Sequence, residues 1–307
     1  MTIAAAATTV LPARRNAQMR AEAFAGYAFA TPALVLIILL LIAPIVVVFL
    51  LSLTDYQFGA LDWSWVGLAN YADLTGDRIF LRSLLNTFIY VAIVVPGSVI
   101  LALIVAILVN ERTKSKAIYQ TIFFLPVTTT LIAMSVVWHF LLNPSLGPIT
   151  SLTRALGWGE FDVFGNPDLV LVGLAVIGIW QLVGFNMILF LAGLTAIPRD
   201  LYDAADIDGA DGAWDRFARV TWPMLGPTTL FVVVTTTITA FRVFDTVAVI
   251  TRGNPQGRSD VLLYTLYKVG FQDFNMGPAS AMTIAFLVFV LIVALVQAFV
   301  IDRRTHY

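Results

Sequence analysis

Six long stretches of this chain contain no Asp, Glu, Lys or Arg: residues 23–54, 83–110, 117–153, 169–198, 220–241 and 274–301. About 20 apolar residues in helical form cross the hydrocarbon core of a bilayer, and each stretch is long enough. Charged residues make up 12% of the chain, about half the share in an ordinary soluble domain. The shortage is local, because the charges that exist crowd into the segments between the stretches. The pattern predicts an all-α polytopic membrane protein with six transmembrane helices near 27–53, 84–110, 117–142, 169–196, 223–250 and 276–301. The first apolar run is too long for a signal-peptide core and lacks a small-residue cleavage site at the right distance, so it is expected to remain.

Composition excludes several classes. The absence of cysteine removes disulfide scaffolds, thiolate metal sites and cysteine nucleophiles. A formal net charge of −1 does not supply the basic face that nucleic acid requires. With the N-terminus inside, the inner segments hold eleven Lys and Arg (14, 15, 20, 112, 114, 116, 199, 216, 219, 303 and 304) against six outside (78, 82, 154, 252, 258 and 268). That bias places both termini in the cytoplasm. The expected organisation is a cytoplasmic tail over 1–25, a membrane domain over 26–302 and a short cytoplasmic tail over 303–307. The Ala- and Thr-rich segment before Arg14 reads as disordered. Outside loops near 54–83, 143–168 and 251–275 are candidates for a partner or lid, with Asp62-Trp63-Ser64-Trp65 and Asn143-Pro144 through Pro148 as ordered turns. Trp63, Trp65, Trp138, Trp158 and Trp222 fit an interfacial aromatic belt.

The inside loop over about 197–222 is unlike a connector. Pro198 can start a helix with Asp200 in its first turn, complementing the dipole. Gly209 and Gly212 should break it, and a second helix should run about 213–221, stopped by Pro223. Asp215 and Arg219 stand four apart and can pair. Six Asp between 200 and 215 would be repelled by anionic lipid, which points to a protein partner.

These residues carry a family resemblance. Asp203-Ala204-Ala205, Asp208-Gly209-Ala210, Phe217, Val220, Pro223 and Pro227 resemble the E-A-A-x-x-D-G-A…F…I…P…P loop of permease subunits in binding-protein-dependent ATP-binding-cassette importers. Ala192-Gly193-Leu194, Ile197-Pro198, Leu201-Tyr202, Phe241-Arg242-Val243-Phe244-Asp245 and Thr251 through Pro255 are similar to its carbohydrate branch, the six-span partner of the maltose-permease type. The match covers roughly 25–302. Asp203 stands where the family usually has Glu, one methylene shorter with the same charge.

The resemblance implies a type I, MetI-like importer permease fold. It implies that Asp203, Ala204, Ala205, Asp208, Gly209, Ala210, Phe217 and Pro223 couple to a separate ATPase. The chain has no G-x-x-x-x-G-K-[ST], so it holds no cofactor and is no enzyme by itself; ATP and Mg belong on the ATPases. The implied partners are a second permease related by pseudo-twofold symmetry, two ATPase subunits, an extracytoplasmic substrate-binding protein and the lipid bilayer, with no nucleic acid. The implied location is the bacterial or archaeal cell (inner) membrane.

Polar groups at membrane depth are costly unless they face protein or water, so they mark a pathway. Span four carries Trp180, Gln181, Phe185 and Asn186; span five carries Thr235, Thr236, Thr237, Thr239, Arg242 and Asp245. At about 1.5 Å per residue, Gln181 and Thr236 lie at similar depth, roughly 20 Å from the inner end. By resemblance, Trp180, Gln181, Leu182, Phe185, Thr236, Thr239, Ala240 and Val243 fall on sugar-contact positions. Each Thr has the alternative of bonding its own i−4 carbonyl, and Trp180 and Phe185 that of packing. Arg242 and Asp245, three apart, read as a structural or gating ion pair on one helix face. His139 reads as a packing residue, and Pro126 as a kink in span three. A pocket of Trp, Gln, Phe and Thr suits a mono- or oligosaccharide, with sn-glycerol 3-phosphate or a related polyol or phosphodiester as the alternative. An ion-coupled secondary transporter would need buried carboxylates and an inverted repeat. A membrane enzyme would need a catalytic cluster, and none lies on a common face.

Overall fold

The computed structural model describes residues 12–302 apart from 113, 158, 161 and 211. The Ala- and Thr-rich segment, Trp158, Asp211, Arg303, Arg304 and His306 lie outside the described residues, as do the side chains of Arg14 and Arg15. The described residues are helical without a strand; a lone bridge pairs Thr54 with Trp65.

The first span is α1 (Pro12–Ile37), a π turn over Ile38–Ile42 and α2 (Ala43–Leu51). The helix runs through the expected tail boundary at 25/26. Its most apolar window has no buried residue within the chain, so its surface is left to lipid or a neighbour. A short helix, α3 (Ala69–Gly76), leads into span two, α4 (Arg78–Asn110), which starts six residues before the expected 84. Asp77 caps α4, its carboxylate accepting from the amide of Ile79 at 2.8 Å.

Span three is broken. The halves α5 (Lys116–Thr128) and α6 (Leu131–Leu141) bend by 98°. The kink expected at Pro126 falls three residues later, where Thr129 and Thr130 are extended. Pro126 removes one ladder donor within the last turn of α5. The hydroxyls of Thr128 and Thr129 then donate to the carbonyls of Leu125 and Pro126 at 2.8 Å, so the broken end is satisfied from within.

After a short helix α7 (Pro148–Ala155), span four is α8 (Val170–Ala196), within a residue of its expected bounds. The loop after it runs as α9 (Arg199–Ile207), α10 (Ala213–Arg216), a π turn over Phe217–Thr221 and α11 (Trp222–Met224), then α12 (Gly226–Phe241). The helix does not stop at Pro223. The bend of 67° comes at Leu225, because a proline near the start of a helical segment gives up an amide that needs no partner. Span five ends at Phe241 rather than 250; residues 242–244 leave the helix and a π turn follows at Val247–Thr251. An outer helix α13 (Leu262–Tyr267) precedes span six, α14 (Met276–Asp302). With each bent pair counted as one span, four continuous spans and two broken ones make the six.

The centre is α4 against α8. Tyr90, Val91 and Val94 meet Leu171, Leu174 and Ile177 toward the Arg78 end of α4. Val99, Ala102 and Ala106 meet Val183, Met187 and Phe190 toward the other. Lipid is as apolar as these side chains, so close packing rather than water exclusion holds the helices together. A Cβ at Gly184 would strike the backbone carbonyl of Phe123, so glycine lets α5 lie directly on α8. Asn186, 1% exposed, accepts from Thr236 at 3.1 Å and donates to Ser98 at 3.5 Å, linking α4, α8 and α12.

The turns at 62–65 and 143–148 are ordered as expected. Asp55 accepts from both the amide and the hydroxyl of Ser64, which holds its carboxyl below the ordinary range. Asn143 accepts from the amides of Ser145 and Leu146 at 2.9 Å. Residues 252–260 wrap onto α4, with Asn86 donating to the carbonyls of Gly257 and Asp260. Asp260 is buried and meets Lys268 at 3.1 Å. Burial pushes its carboxyl up, and Lys268 partly offsets this. Trp138 departs from the interfacial belt: it packs edge-on against Trp180 at 5.5 Å. His139 stacks on Phe164, in keeping with a packing role.

Gly184→Leu should prevent α5 from seating, with loss of folded protein on size-exclusion chromatography. Asn186→Leu should cost only about 1 kcal/mol in thermal unfolding, because Thr236 can turn to its own helix carbonyl. Lys268→Met should destabilise the outer loop by roughly 3 kcal/mol, the low end for a broken buried pair. A carboxyl whose native pKa is raised loses folding stability as pH rises through it, so this defect should be largest at neutral pH. Hydrogen exchange of residues 252–260 should show recovery under acid, as Asp260 takes up its proton.

Candidate functional site

Two features draw the polar residues together. The first is the hairpin of α9 and α10. Gly209, at φ +82°, turns the chain between them, a left-handed conformation that strains any residue with a Cβ. The expected Asp215–Arg219 pair does not form. Instead the guanidinium of Arg216 meets Asp206 at 2.7 Å and reaches the carbonyl of Ala210 at 3.4 Å, clasping the two helices. Residue 216 is turned toward α9 by the break at Gly209, which one-helix spacing cannot foresee. Tyr202 and Thr221 share a hydrogen bond of 3.0 Å. Ala210 is buried beneath the turn, and Ala205 packs on the inner core. Phe217 lies between Trp214 and Trp222, at ring distances of 5.5 and 6.1 Å.

The outer face of this hairpin exposes Asp203, Ala204, Asp208 and Gly209. Beside them Ile207 is 86% and Trp214 75% exposed. The sequence pattern does not single out either of these two. A mixed face of carboxylates, small residues and bare apolar side chains suits a protein partner better than lipid headgroups. Pro223 is exposed at the far end of the hairpin.

The second feature is a cavity of about 370 Å³ where α4, α6, α8 and the end of α12 converge. Gln181, Leu182, Thr239, Ala240 and Val243 border it, five of the nine expected pathway residues, together with Arg242 and Asp245. Tyr90, Leu131 and Gly178, which carried no signal in the sequence, complete the wall together with Phe244 of the Phe241–Asp245 stretch. The break at 242–244 lines it, and Leu131, just past the break at 129–130, borders it. Irregular backbone is tolerated at such depth where it lines a cavity.

Four expected pathway residues lie elsewhere. Asn186 and Thr236 are buried against each other, because two polar side chains on packed helices satisfy one another more cheaply than they face solvent. Trp180 packs on Trp138, and Phe185 turns outward, 41% exposed. Thr235, Thr237 and Thr239 donate to the carbonyls of Phe231, Val233 and Thr235, the self-bonding alternative.

Arg242 and Asp245 form no ion pair, contrary to the expectation of one helix face, because the helix ends between them. Arg242 caps the negative end of α12, and Asp245 opens the helical stretch that follows. Each charge thus complements its own helix terminus.

With this geometry in view, comparison with known proteins is direct. The chain belongs to the family described as binding-protein-dependent transport system inner membrane component, which matches residues 68–306. The sn-glycerol-3-phosphate transport system permease protein UgpA of Agrobacterium fabrum is 33% identical over 83% of this chain and 87% of its own length. The probable ABC transporter permease protein YesP of Bacillus subtilis is 33% identical over 96% of each chain. A subunit of a bacterial ABC transporter involved in the import of the acidic polysaccharide alginate superposes with TM-score 0.83 at 22% identity, covering 95% of this chain and 100% of that one. The fold is that of an importer permease, as the 203–227 motif implied.

Gly209→Ala should loosen the hairpin by about 1 kcal/mol and Gly209→Val by up to about 3. No neighbour lies within 4 Å of the new Cβ, so the cost is backbone strain alone. Faster amide exchange confined to residues 199–216 would register it.

Proposed function

We propose that this chain is half of the pore of an ATP-driven sugar importer, with both termini in the cytoplasm and the α9–α10 hairpin seated on an ATPase subunit. The observation that carries this reading is the clasped hairpin with its bare face of Asp203, Ala204, Ile207, Asp208 and Trp214, on a chain of this family. The excess of Lys and Arg on the hairpin's side supports the orientation. A second permease would supply the other half, two ATPases the hydrolysis with Mg, and an extracytoplasmic binding protein the substrate. Closure of the ATPases would push the hairpins and rock the spans between inward- and outward-open states.

The 370 Å³ cavity is where substrate would pass. Gln181 and Thr239 offer an amide and a hydroxyl, with Tyr90 and Phe244 as aromatic walls. That mixture fits the hydroxyls and apolar faces of a mono- or oligosaccharide. A second reading has one specific support: Arg242 borders the cavity without an ion pair. A glycerol phosphate would find a cation there, and the UgpA relative is named for that substrate.

Proteoliposomes holding the chain, its partner permease, the ATPases and the binding protein should take up labelled sugar only with ATP and Mg. Uptake driven by an ion gradient alone would overturn the reading. Gly209→Val should cut ATP-driven uptake at least tenfold while the binding protein keeps its affinity. For Arg242→Gln, a loss confined to anionic substrates would favour the phosphate ester.

A further inference from the structure

Near the base of the hairpin, three cations from three separate places in the chain border one cavity of about 560 Å³. Arg112 follows α4, Lys116 begins α5 and Arg199 begins α9. Asn110, Thr195 and Tyr202 add polar atoms to its wall. Among the described residues no carboxylate borders it; Glu111 lines a separate neighbouring cavity. Lys116 donates to Asn110 at 3.0 Å, which leaves two of its three donors unused. The starts of α5 and α9 have no side-chain cap, so two positive helix ends add to the same field, against the single acid Asp200 in the first turn of α9.

Arg112 also borders a second cavity, of about 250 Å³, lined by Val105, Leu108, Val109, Tyr119 and Phe123 between α4 and α5. One arginine therefore joins a cationic chamber at the end of the spans to an apolar slot along their side. A free phosphate would use only the chamber. A molecule with an anionic head and a hydrocarbon chain would use both.

We propose that this paired cavity binds an anionic phospholipid, its headgroup held by Arg112, Lys116 and Arg199 and one acyl chain laid against Leu108 and Phe123. The site stands apart from both the transport cavity and the hairpin's outer face. It uses the cytoplasmic orientation proposed above only to assign the leaflet. Basic pockets between membrane helices are suited to such headgroups.

The test is native mass spectrometry of the whole assembled transporter, exchanged against equal amounts of phosphatidylglycerol and phosphatidylcholine, without substrate or ATP. Failure here therefore leaves the transport reading untouched. The unaltered complex should retain phosphatidylglycerol about tenfold over phosphatidylcholine. Arg112→Gln with Lys116→Gln should bring the ratio to within twofold, and Arg112→Lys should keep most of it. Leu108→Trp, which fills the slot and leaves every charge, should weaken retention severalfold. Each variant's melting temperature confirms that the complex compared is folded. Equal ratios for the unaltered complex and the double variant would overturn the proposal. So would displacement of the lipid by millimolar inorganic phosphate with no effect of Leu108→Trp, which would mark a phosphate site instead.

Discussion

The close packing of α4 on α8 is the contact from which the rest of the molecule is hung. In lipid, two apolar helices gain little from leaving their surroundings, so they stay together only if their surfaces interlock. Ala102 and Ala106 are fully buried at that contact, and large residues such as Phe190 and Met187 fill the space opposite. Once these two spans are fixed, α5 is laid on α8 at Gly184, and α12 is drawn in by the Asn186–Thr236 bond. The loop over 256–262 is anchored to α4 through Arg82, Asn86 and Thr87.

The two broken spans follow a different rule. An interrupted helix in a bilayer exposes amides and carbonyls that need partners, so breaks occur only where something can satisfy them. At 129–130 the adjacent threonines do so; at 242–244 the gap carries Arg242 on one helix end and leads to Asp245 at the start of the next. The gap at 242–244 lines the cavity of about 370 Å³, and Leu131, just past the other gap, borders it. The polar groups that reach it are fewer than the helix faces suggested, because several hydroxyls stay on their own backbone.

The inner end of the bundle separates its charges by position. Carboxylates and bare apolar side chains occupy the turned-out face of the hairpin, while Arg112, Lys116 and Arg199 sit at its base near the helix ends. A rigid clasp, Arg216 on Asp206, keeps the hairpin one body. Exposed ion pairs of this kind contribute little stability, roughly 1 kcal/mol or less, so its value lies in geometry.

By itself the sequence determined the number of spans, their approximate limits, the helical hairpin at 197–222 and the family, because the cost of charge in hydrocarbon is written directly into which residues are absent. The turn at Gly209 was legible for a similar reason: a single residue type tolerates that backbone. The tertiary structure decided where the spans break and which polar residues face one another. Pro126 marks the third span without revealing that the bend falls at Thr129, since the bend depends on where freed carbonyls find hydroxyls. Asn186 and Thr236 looked like pathway residues because helix periodicity places them at the right depth; only packing decides that they spend their hydrogen bonds on each other. Arg242 and Asp245 looked like a pair because spacing assumes one helix, and the chain ends that helix between them. Depth and polarity are properties of a sequence, but which side chains become partners is a property of the neighbours that close packing brings.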